Sequence, residues 1–270
     1  MMDTAYIESP QNNHVKNLVK LRDRKHRNRQ DKFIIEGQRE IEYALDSDYA
    51  LSTVYYCPEF FNSESATQLI ERLKRETREL STLIRMHPKA FNKCSLREGP
   101  DGFIAISQTK HNRLDDLKLK DKSTLLILEG IEKPGNLGAI IRSADGAGVD
   151  AIILDNCMLD CYNPNAIRAS QGLLFRKPIF SVDHDYLITW LKKEKFTSIA
   201  TSPRAKLSYF NQSYPDKTAL VMGSESHGLS EKWIAASDSL IKIPMLGSAD
   251  SLNVSVATAL CIYEIVRQRD

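Results

Sequence analysis

The chain has 270 residues, of which 42% are hydrophobic and 27% are charged, which is the composition of a soluble globular protein with one large or two ordinary domains. This composition excludes a disordered chain and a collagen-like repeat. Because the formal net charge is only +2, it also excludes a uniformly basic coat that binds nucleic acid indiscriminately.

The first predicted element is a basic helix over Val15–Arg29, followed by a short apolar strand. Eight basic and two acidic residues lie between His14 and Lys32, so this stretch carries a net charge of +6. Such a run is either the solvated face of a helix or a patch that binds a polyanion. Both interpretations place it on the surface.

The first region continues as alternating strands and helices, which predicts a small α/β domain over residues 1–110. Strands are predicted at Lys32–Glu36, Leu51–Tyr56, near Leu80–Ile84 and in a segment that ends with Gly102–Ile106, and helices at Gln38–Leu45 and Ser65–Lys74. The polar stretch His111–Lys122 offers little to bury, so we expect it to be a linker between two domains.

The second region, residues 123–270, is more apolar and more regular. Strands are predicted at Thr124–Leu128, Ala151–Leu154, Thr197–Ala200, Ala219–Met222 and Leu240–Ile243, with helical segments between them. Short apolar strands that alternate with helices predict a parallel sheet covered on both faces, whose ligands bind at the carboxyl ends of the strands. The predicted fold class is therefore α/β throughout, with a smaller α/β domain before a parallel-sheet domain.

No stretch approaches the roughly 18 apolar residues of a membrane span, and the first ten residues lack the pattern of a secretory signal. We therefore expect a cytoplasmic protein that has no membrane partner. The five cysteines are scattered, which predicts reduced thiols. Cys157 and Cys161 have no second ligand pair at zinc-binding spacing, so we expect no metal.

Three loops could carry chemistry, and the first follows the strand Thr124–Leu128. Pro134 and Asn136 lie where this strand gives way to a helix, and Gly148 suits the end of that helix. Because Arg142 follows Asn136 by somewhat less than two turns, both side chains can face one cavity above the sheet. The alternative is that Asn136 only caps the helix and Arg142 is a surface charge.

The second loop follows Ala219–Met222 and places Gly223 and Gly228 on either side of Glu225. Two glycines around a carboxylate at a strand end indicate that the backbone approaches a ligand closely while the carboxylate is held in place. The spacing fits neither the P-loop nor the dinucleotide fingerprint. His227 could act as a base, but without a Ser-His-Asp arrangement we favour a capping or solvent-facing role.

The third loop spans Ile243–Ala257 and runs into a helix for which Ser251 is the predicted cap. Ser251, Asn253 and Ser255 supply small hydrogen-bonding groups beside the apolar segment Ile243–Leu246. This combination suits a ligand that is half apolar and half polar. Core packing alone would explain the apolar residues that follow.

Together and in this order, the three loops resemble the three motifs of the SpoU (TrmH) RNA ribose methyltransferases. The matching positions are Asn136, Arg142 and Gly148, then Val221–Glu225 with Gly228 and Leu229, then Ile243–Met245, Gly247 and Ser251–Ala257. The amino-terminal region is similar, more loosely, to the small substrate-binding domain that many of these enzymes carry. Its matching positions are Ile7, Ser9, Asn13, Val15 or Lys16, Arg24, Lys25, Arg27 and Phe33–Gly37.

The resemblance implies methyl transfer from S-adenosyl-L-methionine to a ribose 2′-hydroxyl of RNA. It also implies the SPOUT fold, with a deep trefoil knot in the second domain, and a homodimer. The implied cofactor-binding residues are Thr201, Gly223, Ile243, Met245, Leu252 and Asn253. The implied catalytic residues are Arg142 and, as the groups that orient it and the ribose, Asn136, Glu225, Ser251 and Asn253.

Arginine is nearly always charged and is therefore a poor base, so we expect Arg142 to clamp an RNA phosphate and to stabilise the developing alkoxide. Selection of the RNA would fall to the first domain. Its expected RNA-binding residues are Lys16, Lys20, Arg24, Lys25, Arg27 and Arg29.

Other functions fit parts of the pattern. The extra basic domain before a full-length core favours ribosomal RNA over tRNA as the substrate. A non-catalytic RNA-binding or ribosome assembly factor could keep the same fold, although every motif position carries the expected residue. A small-molecule methyltransferase is disfavoured by the basic stretch.

Overall fold

The computed structural model describes residues 6–76, 82–157 and 159–270, and the chain divides into two compact units. The first unit comprises Met1–Lys110 and Tyr162–Arg176, and the second comprises His111–Cys161 and Lys177–Asp270. The start of the strand predicted near Leu80–Ile84 lies outside the described residues.

The first unit contains a mixed sheet in the strand order β1-β4-β3-β5-β2. Its strands are β1 (Tyr6–Ile7), β2 (Lys32–Glu36), β3 (Leu51–Tyr56), β4 (Thr82–Met86) and β5 (Phe103–Gln108). Strand β4 pairs parallel with β1 and β3, whereas β5 pairs antiparallel with β2 and β3. The predicted alternation of strands and helices in this region is confirmed.

The predicted basic helix is in fact two helices. The helices of the first unit are α1 (Asn13–Lys20), α2 (Arg24–Gln30), α3 (Gln38–Asp46), α4 (Glu64–Glu76), α5 (Pro88–Cys94) and α7 (Pro164–Ala169). The first helix ends at Leu21, its C-cap, and Asp23 begins the second, with an extended backbone and a side chain that accepts from the nitrogen of Lys25. Two short helices replace one because a good capping residue lies in the middle of the basic run.

Residues Tyr162–Arg176 belong to the first unit, although the sequence places them within the predicted 123–270 domain. Tyr162 stacks on Phe33 with ring centroids 4.2 Å apart, and Phe175 lies against the same ring. The Tyr162 hydroxyl also donates to the carbonyl of Lys110 at 3.2 Å. These aromatic contacts hold a segment from late in the chain against the first sheet.

The second unit contains a seven-stranded sheet in the order β10-β12-β9-β11-β6-β7-β8, and every pairing in it is parallel, as predicted. The strands are β6 (Ser123–Glu129), β7 (Ala151–Asp155), β8 (Ile179–Val182), β9 (Thr197–Thr201), β10 (Leu207–Ser208), β11 (Lys217–Met222) and β12 (Ser239–Lys242). Every residue of β6 and β7 is buried, as expected for strands that are covered on both faces.

Helices of this unit follow the strands and include the two that carry the first and third loops. They are α6 (Pro134–Gly146), α8 (His184–Lys193), α9 (Glu231–Ala236) and α10 (Val254–Arg269), and α6 packs against α10. The stretch 111–122 also lies with this unit, where Leu114 is buried in the core. Within the described ranges, no helix is both long and apolar enough to cross a bilayer.

Candidate functional site

The three loops singled out from the sequence follow strands of one parallel sheet. The first follows β6, the second follows β11, and the third follows β12. Because β6 pairs with β11, and β9 lies between β11 and β12, these loops leave the same edge of the sheet. The sheet therefore gathers segments that are far apart in sequence.

The second loop is a tight turn that only glycine permits at its start. Ser224 and Gly228 exchange backbone hydrogen bonds of 3.0 Å, which folds the chain back directly over Gly223. A Cβ on Gly223 would lie 2.3 Å from the carbonyl carbon of Gly228. Gly228 itself has a φ of +67°, a left-handed conformation that favours glycine. The turn presents Glu225 at its exposed tip.

A hydrogen-bond network joins one residue from each loop. The Asn136 amide donates to Glu225 Oε1 at 2.5 Å, and the Asn253 amide donates to the same oxygen at 3.0 Å. Asn253 Nδ2 also lies 3.3 Å from Asn136 Oδ1. Three of the five predicted catalytic residues are thus brought together, with the carboxylate as the shared acceptor.

Asn253 has a second role as the cap of α10. Its Oδ1 accepts from the backbone nitrogen of Ser255 at 2.9 Å and from the Ser255 hydroxyl at 2.6 Å. The prediction that Ser251 caps this helix is therefore wrong. The helix starts two residues later because the Asn253 oxygen satisfies the free backbone nitrogen of Ser255, while its amide remains available to Glu225.

The other two predicted catalytic residues lie outside this network. Arg142 projects from α6 as an exposed side chain, and it makes no ion pair or hydrogen bond with any residue in the described ranges. Ser251 is exposed on the third loop. An exposed guanidinium is free to meet an anionic ligand from solution.

Three of the six predicted cofactor residues lie at or directly after the ends of neighbouring strands. Thr201 ends β9 and donates through its hydroxyl to the carbonyl of Val221 at 3.2 Å. Gly223 follows β11 directly, and Ile243 follows β12. Ile243, Met245 and Leu252 are half-buried, so the third loop offers apolar surface beside the exposed segment 246–251.

Two residues, Glu129 at the end of β6 and Lys133 in the first loop, have functions that the sequence analysis missed. Lys133 Nζ lies 3.2 Å from Glu225 Oε2, so the carboxylate carries a cation on one oxygen and two amides on the other. Glu129 Oε2 accepts from the backbone nitrogen of Ser230 at 2.7 Å. Both residues lie close to the predicted motif in the sequence, and their charged side chains were the signal that could have identified them as part of the site.

Behind these loops, Glu129, Asp155 and His184 offer three potential metal ligands within 4.8 Å of one another. Each also makes hydrogen bonds within the protein. Asp155 Oδ2 lies 2.7 Å from His184 Nδ1 and accepts from Trp233 Nε1 at 2.6 Å. The hydrogen bonds of Asp155 therefore connect β7 to the start of α8 and to α9.

A cavity of about 270 Å³ opens beside the network. Its walls are formed by Ile131, Glu132, Lys133, Asn136, Glu225, Ser226 and Val254. His227 is exposed, and its Nδ1 lies 2.8 Å from the Ser226 hydroxyl, which fits the predicted solvent-facing role.

The basic residues of the first unit differ in their exposure. Five of the six predicted RNA-binding side chains are exposed, namely Lys16, Lys20, Arg24, Lys25 and Arg29. The sixth, Arg27, is only 3% exposed and donates to the carbonyls of Leu21 and Arg22 at 2.9 and 2.6 Å. Its guanidinium holds the turn between α1 and α2, so it belongs to the fold.

A second basic element lies beside this surface. Helix α5 packs against α1 and exposes Lys89 and Lys93. Arg22 joins the two segments by donating to the carbonyls of Lys93 and Ser95 at 3.0 and 3.1 Å. We call the exposed residues Lys16, Lys20, Arg24, Lys25, Arg29, Lys89 and Lys93 the basic surface.

Known proteins share both the sequence and the fold of this chain. The 23S rRNA (guanosine(2553)-2′-O)-methyltransferase RlmP of Bacillus subtilis is 28% identical over 262 residues, which are 96% of this chain and 98% of the relative. A crystal structure of an RNA 2′-O ribose methyltransferase superimposes with a TM-score of 0.84 at 35% identity, over 98% of this chain and 99% of that one.

The SpoU methyltransferase AviRb from Streptomyces viridochromogenes, solved in complex with AdoMet, superimposes with a TM-score of 0.86. It is 28% identical and covers 96% of this chain and 98% of its own. A family model of an MRM3-like substrate binding domain matches residues 12–105, and that of the SpoU rRNA methylase family matches residues 123–263. The chain is therefore a member of the SpoU rRNA methylase family.

Proposed function

We propose that this protein transfers a methyl group from S-adenosyl-L-methionine to a ribose 2′-hydroxyl of ribosomal RNA. The observation that carries this proposal is the network of Asn136, Glu225 and Asn253, in which each motif loop of a SpoU family member supplies one side chain. Relatives that span nearly the whole chain act on 23S rRNA, which supports ribosomal RNA as the substrate.

The residues at the strand ends fit S-adenosyl-L-methionine. The half-buried residues Ile243, Met245 and Leu252 suit the adenine and the carbon chain of the cofactor, and the exposed, partly polar segment 246–251 suits its polar ends. Gly223 is required by the turn itself, since a Cβ there would lie 2.3 Å from the carbonyl carbon of Gly228, and it places its backbone groups directly after β11. We assign cofactor binding to these residues together with Thr201 and Asn253.

When bound, S-adenosyl-L-methionine supplies an electrophilic methyl group. The task of the protein is then to align the ribose oxygen with the methyl carbon and to assist the loss of its proton. Glu225 is held by two amides and by Lys133, so it offers the ribose a fixed acceptor, and Asn136 and Asn253 set its direction. Ser251, exposed on the third loop, would contribute a hydroxyl to the ribose.

Arg142 completes the proposed site as an electrostatic clamp. Its exposed guanidinium would bind a phosphate beside the target ribose and stabilise the negative charge that develops on the 2′-oxygen. A group that is nearly always protonated serves this role better than that of a base. Arg142→Ala should lower kcat by about 10²-fold to 10³-fold. Arg142→Lys should also be poor, because a lysine lacks the planar fork.

The RNA would be selected by the basic surface of the first unit. The exposed residues Lys16, Lys20, Arg24, Lys25 and Arg29 carry the proposal, and Lys89 and Lys93 extend it. Reversing four of these charges should weaken RNA binding and reduce the slope of log Kd against log salt, with cofactor affinity unchanged. Equal salt slopes for the parent and the variant would contradict this assignment.

We further propose a homodimer with a knotted second domain. Three apolar side chains on α10 are exposed at a spacing that places them on one face, namely Val256 (48%), Leu260 (37%) and Tyr263 (49%). After β12 the chain turns back, and α10 packs against β11 and α6. This return of the chain supports the proposed knot. A cytoplasmic location follows from the proposed ribosomal substrate.

The proposal is tested by mapping ribose methylation across total rRNA and tRNA from cells with and without this protein. We expect one rRNA position to lose its 2′-O-methyl group when the protein is absent and to regain it when the parent chain, but not Arg142→Ala, is restored. A lost tRNA position would identify a tRNA enzyme instead. No lost position, together with no cofactor binding by calorimetry, would identify a non-catalytic RNA-binding factor.

A further inference from the structure

The cavity beside Glu225 carries polar side chains that the proposed chemistry does not use. Glu132 and Ser226 line it together with Asn136 and Glu225, and the buried residues Ile131 and Val254 add apolar wall. Lys133 also lines it, with its ammonium group paired to Glu225 Oε2 at 3.2 Å. Its volume of about 270 Å³ accommodates a nucleobase. Apolar walls with a few converging polar groups are typical of sites that hold a base.

Glu132 is held in place by a short hydrogen-bonded chain. The Ser226 hydroxyl donates to Glu132 Oε1 at 3.2 Å, and His227 Nδ1 lies 2.8 Å from the same hydroxyl oxygen. Since the Ser226 proton points to the carboxylate, His227 must donate from Nδ1. Glu132 Oε2 has no hydrogen-bond partner among the residues that the structure describes, so it remains available to a ligand.

The geometry of a nucleotide decides which group meets this carboxylate. The proposed function places the ribose 2′-oxygen at Asn136 and Glu225. This oxygen is bonded to C2′, and the two ring carbons beside C2′ carry the base, on C1′, and the 3′-phosphate, through the oxygen on C3′. A carboxylate repels a phosphate and accepts hydrogen bonds from a base. The base therefore faces Glu132, and the phosphate faces away from it.

The four bases differ in what they offer a carboxylate. Guanine presents two adjacent N–H donors, at N1 and at its exocyclic N2, which match the two oxygens of one carboxylate. Adenine and cytosine place an acceptor beside their donor, and uracil places one N–H between two carbonyls, so each would set an acceptor against the carboxylate. We propose that Glu132 recognises the Watson–Crick edge of a guanine, and that the methylated nucleotide is a guanosine.

This inference rests on the proposed function, and it is tested on the RNA position that the methylation map identifies. Short RNAs that contain this position are prepared with guanosine or with inosine, which lacks the N2 amino group. For the parent chain we expect kcat/KM to be about tenfold lower on inosine, because one hydrogen bond to the carboxylate is lost. Adenosine and uridine should be poorer still.

The variant Glu132→Gln should abolish the preference for guanosine over inosine, because the glutamine amide presents an N–H donor to the N2 amino group of guanine, which is itself a donor. We expect kcat/KM on guanosine to fall to about the level on inosine, within a factor of two. Ser226→Ala should reduce the preference in part by releasing Glu132. Glu231→Gln, at the exposed start of α9, is the matched control and should behave like the parent chain.

The outcomes separate the two proposals. Methyl transfer to a mapped adenosine, cytidine or uridine would overturn guanine recognition and leave the methyltransferase function standing. An equal loss of activity by Glu132→Gln on guanosine and inosine would also overturn it. Absence of methyl transfer to any RNA would overturn the proposed function and the guanosine assignment together.

Discussion

The carboxylate of Glu129 accepts a hydrogen bond from the backbone nitrogen of Ser230 at 2.7 Å, across a sequence separation of 101 residues. Glu129 ends β6 just before the first loop, and Ser230 caps α9 just after the second loop. The bond therefore fixes the spacing of the loops that carry Asn136 and Glu225. The Trp233 indole supports the same helix by donating to Asp155 Oδ2.

Removing this carboxylate should loosen both loops. Glu129→Ala leaves a partly buried N–H without an acceptor, which costs about 1–3 kcal/mol of stability, and methyl transfer should fall through kcat. Glu129→Gln keeps an acceptor oxygen and should recover most of both losses. Urea unfolding and turnover measure the two effects. An Ala variant as stable and as active as the parent chain would show that the bond positions nothing.

The two roles of Asn253 can be separated by one substitution. Asn253→Asp keeps the oxygen that caps α10 but replaces the amide that donates to Glu225 with a second negative charge. We expect its melting temperature to stay close to that of the parent chain, whereas methyl transfer falls at least about tenfold. Asn253→Ala should lose both activity and about 1 kcal/mol of helix stability. An active Asp variant would remove Asn253 from the site.

Arg27 and Arg29 should behave oppositely although they lie two residues apart. Arg27→Ala leaves the carbonyls of Leu21 and Arg22 without their charged donor and should destabilise the chain by about 1.5–3 kcal/mol in chemical denaturation. Arg29→Ala changes an exposed side chain, so it should leave stability unaltered and weaken RNA binding. If Arg27→Ala is as stable as Arg29→Ala, the structural assignment of Arg27 is wrong.

Stability should fall at alkaline pH because of the buried thiols. Burial raises the pKa of Cys94 and of Cys261 from 9.0 to about 12, so the folded chain holds protons that the unfolded chain releases. A thiol whose pKa is raised by folding stabilises the folded chain at pH values below its pKa in the unfolded chain. This stabilisation is lost as pH rises from about 9 toward 12. The urea midpoint should therefore drop between pH 8 and pH 10.5.

The matched variant for this pH effect is Cys94→Ala, which removes one of the titrating thiols. Its midpoint should be lower at pH 8 because of the lost packing, but its decline with pH should be shallower. Native Cys94 and Cys261 should also resist iodoacetamide at pH 8, since the reactive form is the thiolate. Rapid alkylation of either thiol in the folded protein would contradict their burial.

The exposed face of α10 should be the surface that forms the proposed dimer. Leu260→Asp introduces a charge among Val256 and Tyr263 and should convert the dimer to a monomer in analytical ultracentrifugation. Leu207→Asp, at an equally exposed leucine on β10, is the matched control and should remain dimeric. A parent chain that sediments as a monomer would refute the dimer, and a dimeric Leu260→Asp would place the interface elsewhere.

Local pattern explains why the strands were predictable. Apolar runs such as those of β6 and β7 are buried on both faces, and their boundaries fall within two residues of the predicted ones. The single helix over Val15–Arg29 was mispredicted because Asp23, a capping residue, lies in the middle of the basic run and starts a second helix. Ser251 and Asn253 are both good capping residues two positions apart, and nothing local distinguishes them.

The sequence by itself determined the parallel sheet, the three motif loops and the basic stretch, because each depends on residues that are close together in the chain. Only the tertiary structure decided which side chains meet. It joined Asn136 to Glu225 across 89 residues and packed Tyr162 against Phe33 in the first unit. It also buried Arg27 against backbone carbonyls, whereas Arg24, Lys25 and Arg29 are exposed. These outcomes depend on strand order and on competition for hydrogen-bond partners, which no local pattern records.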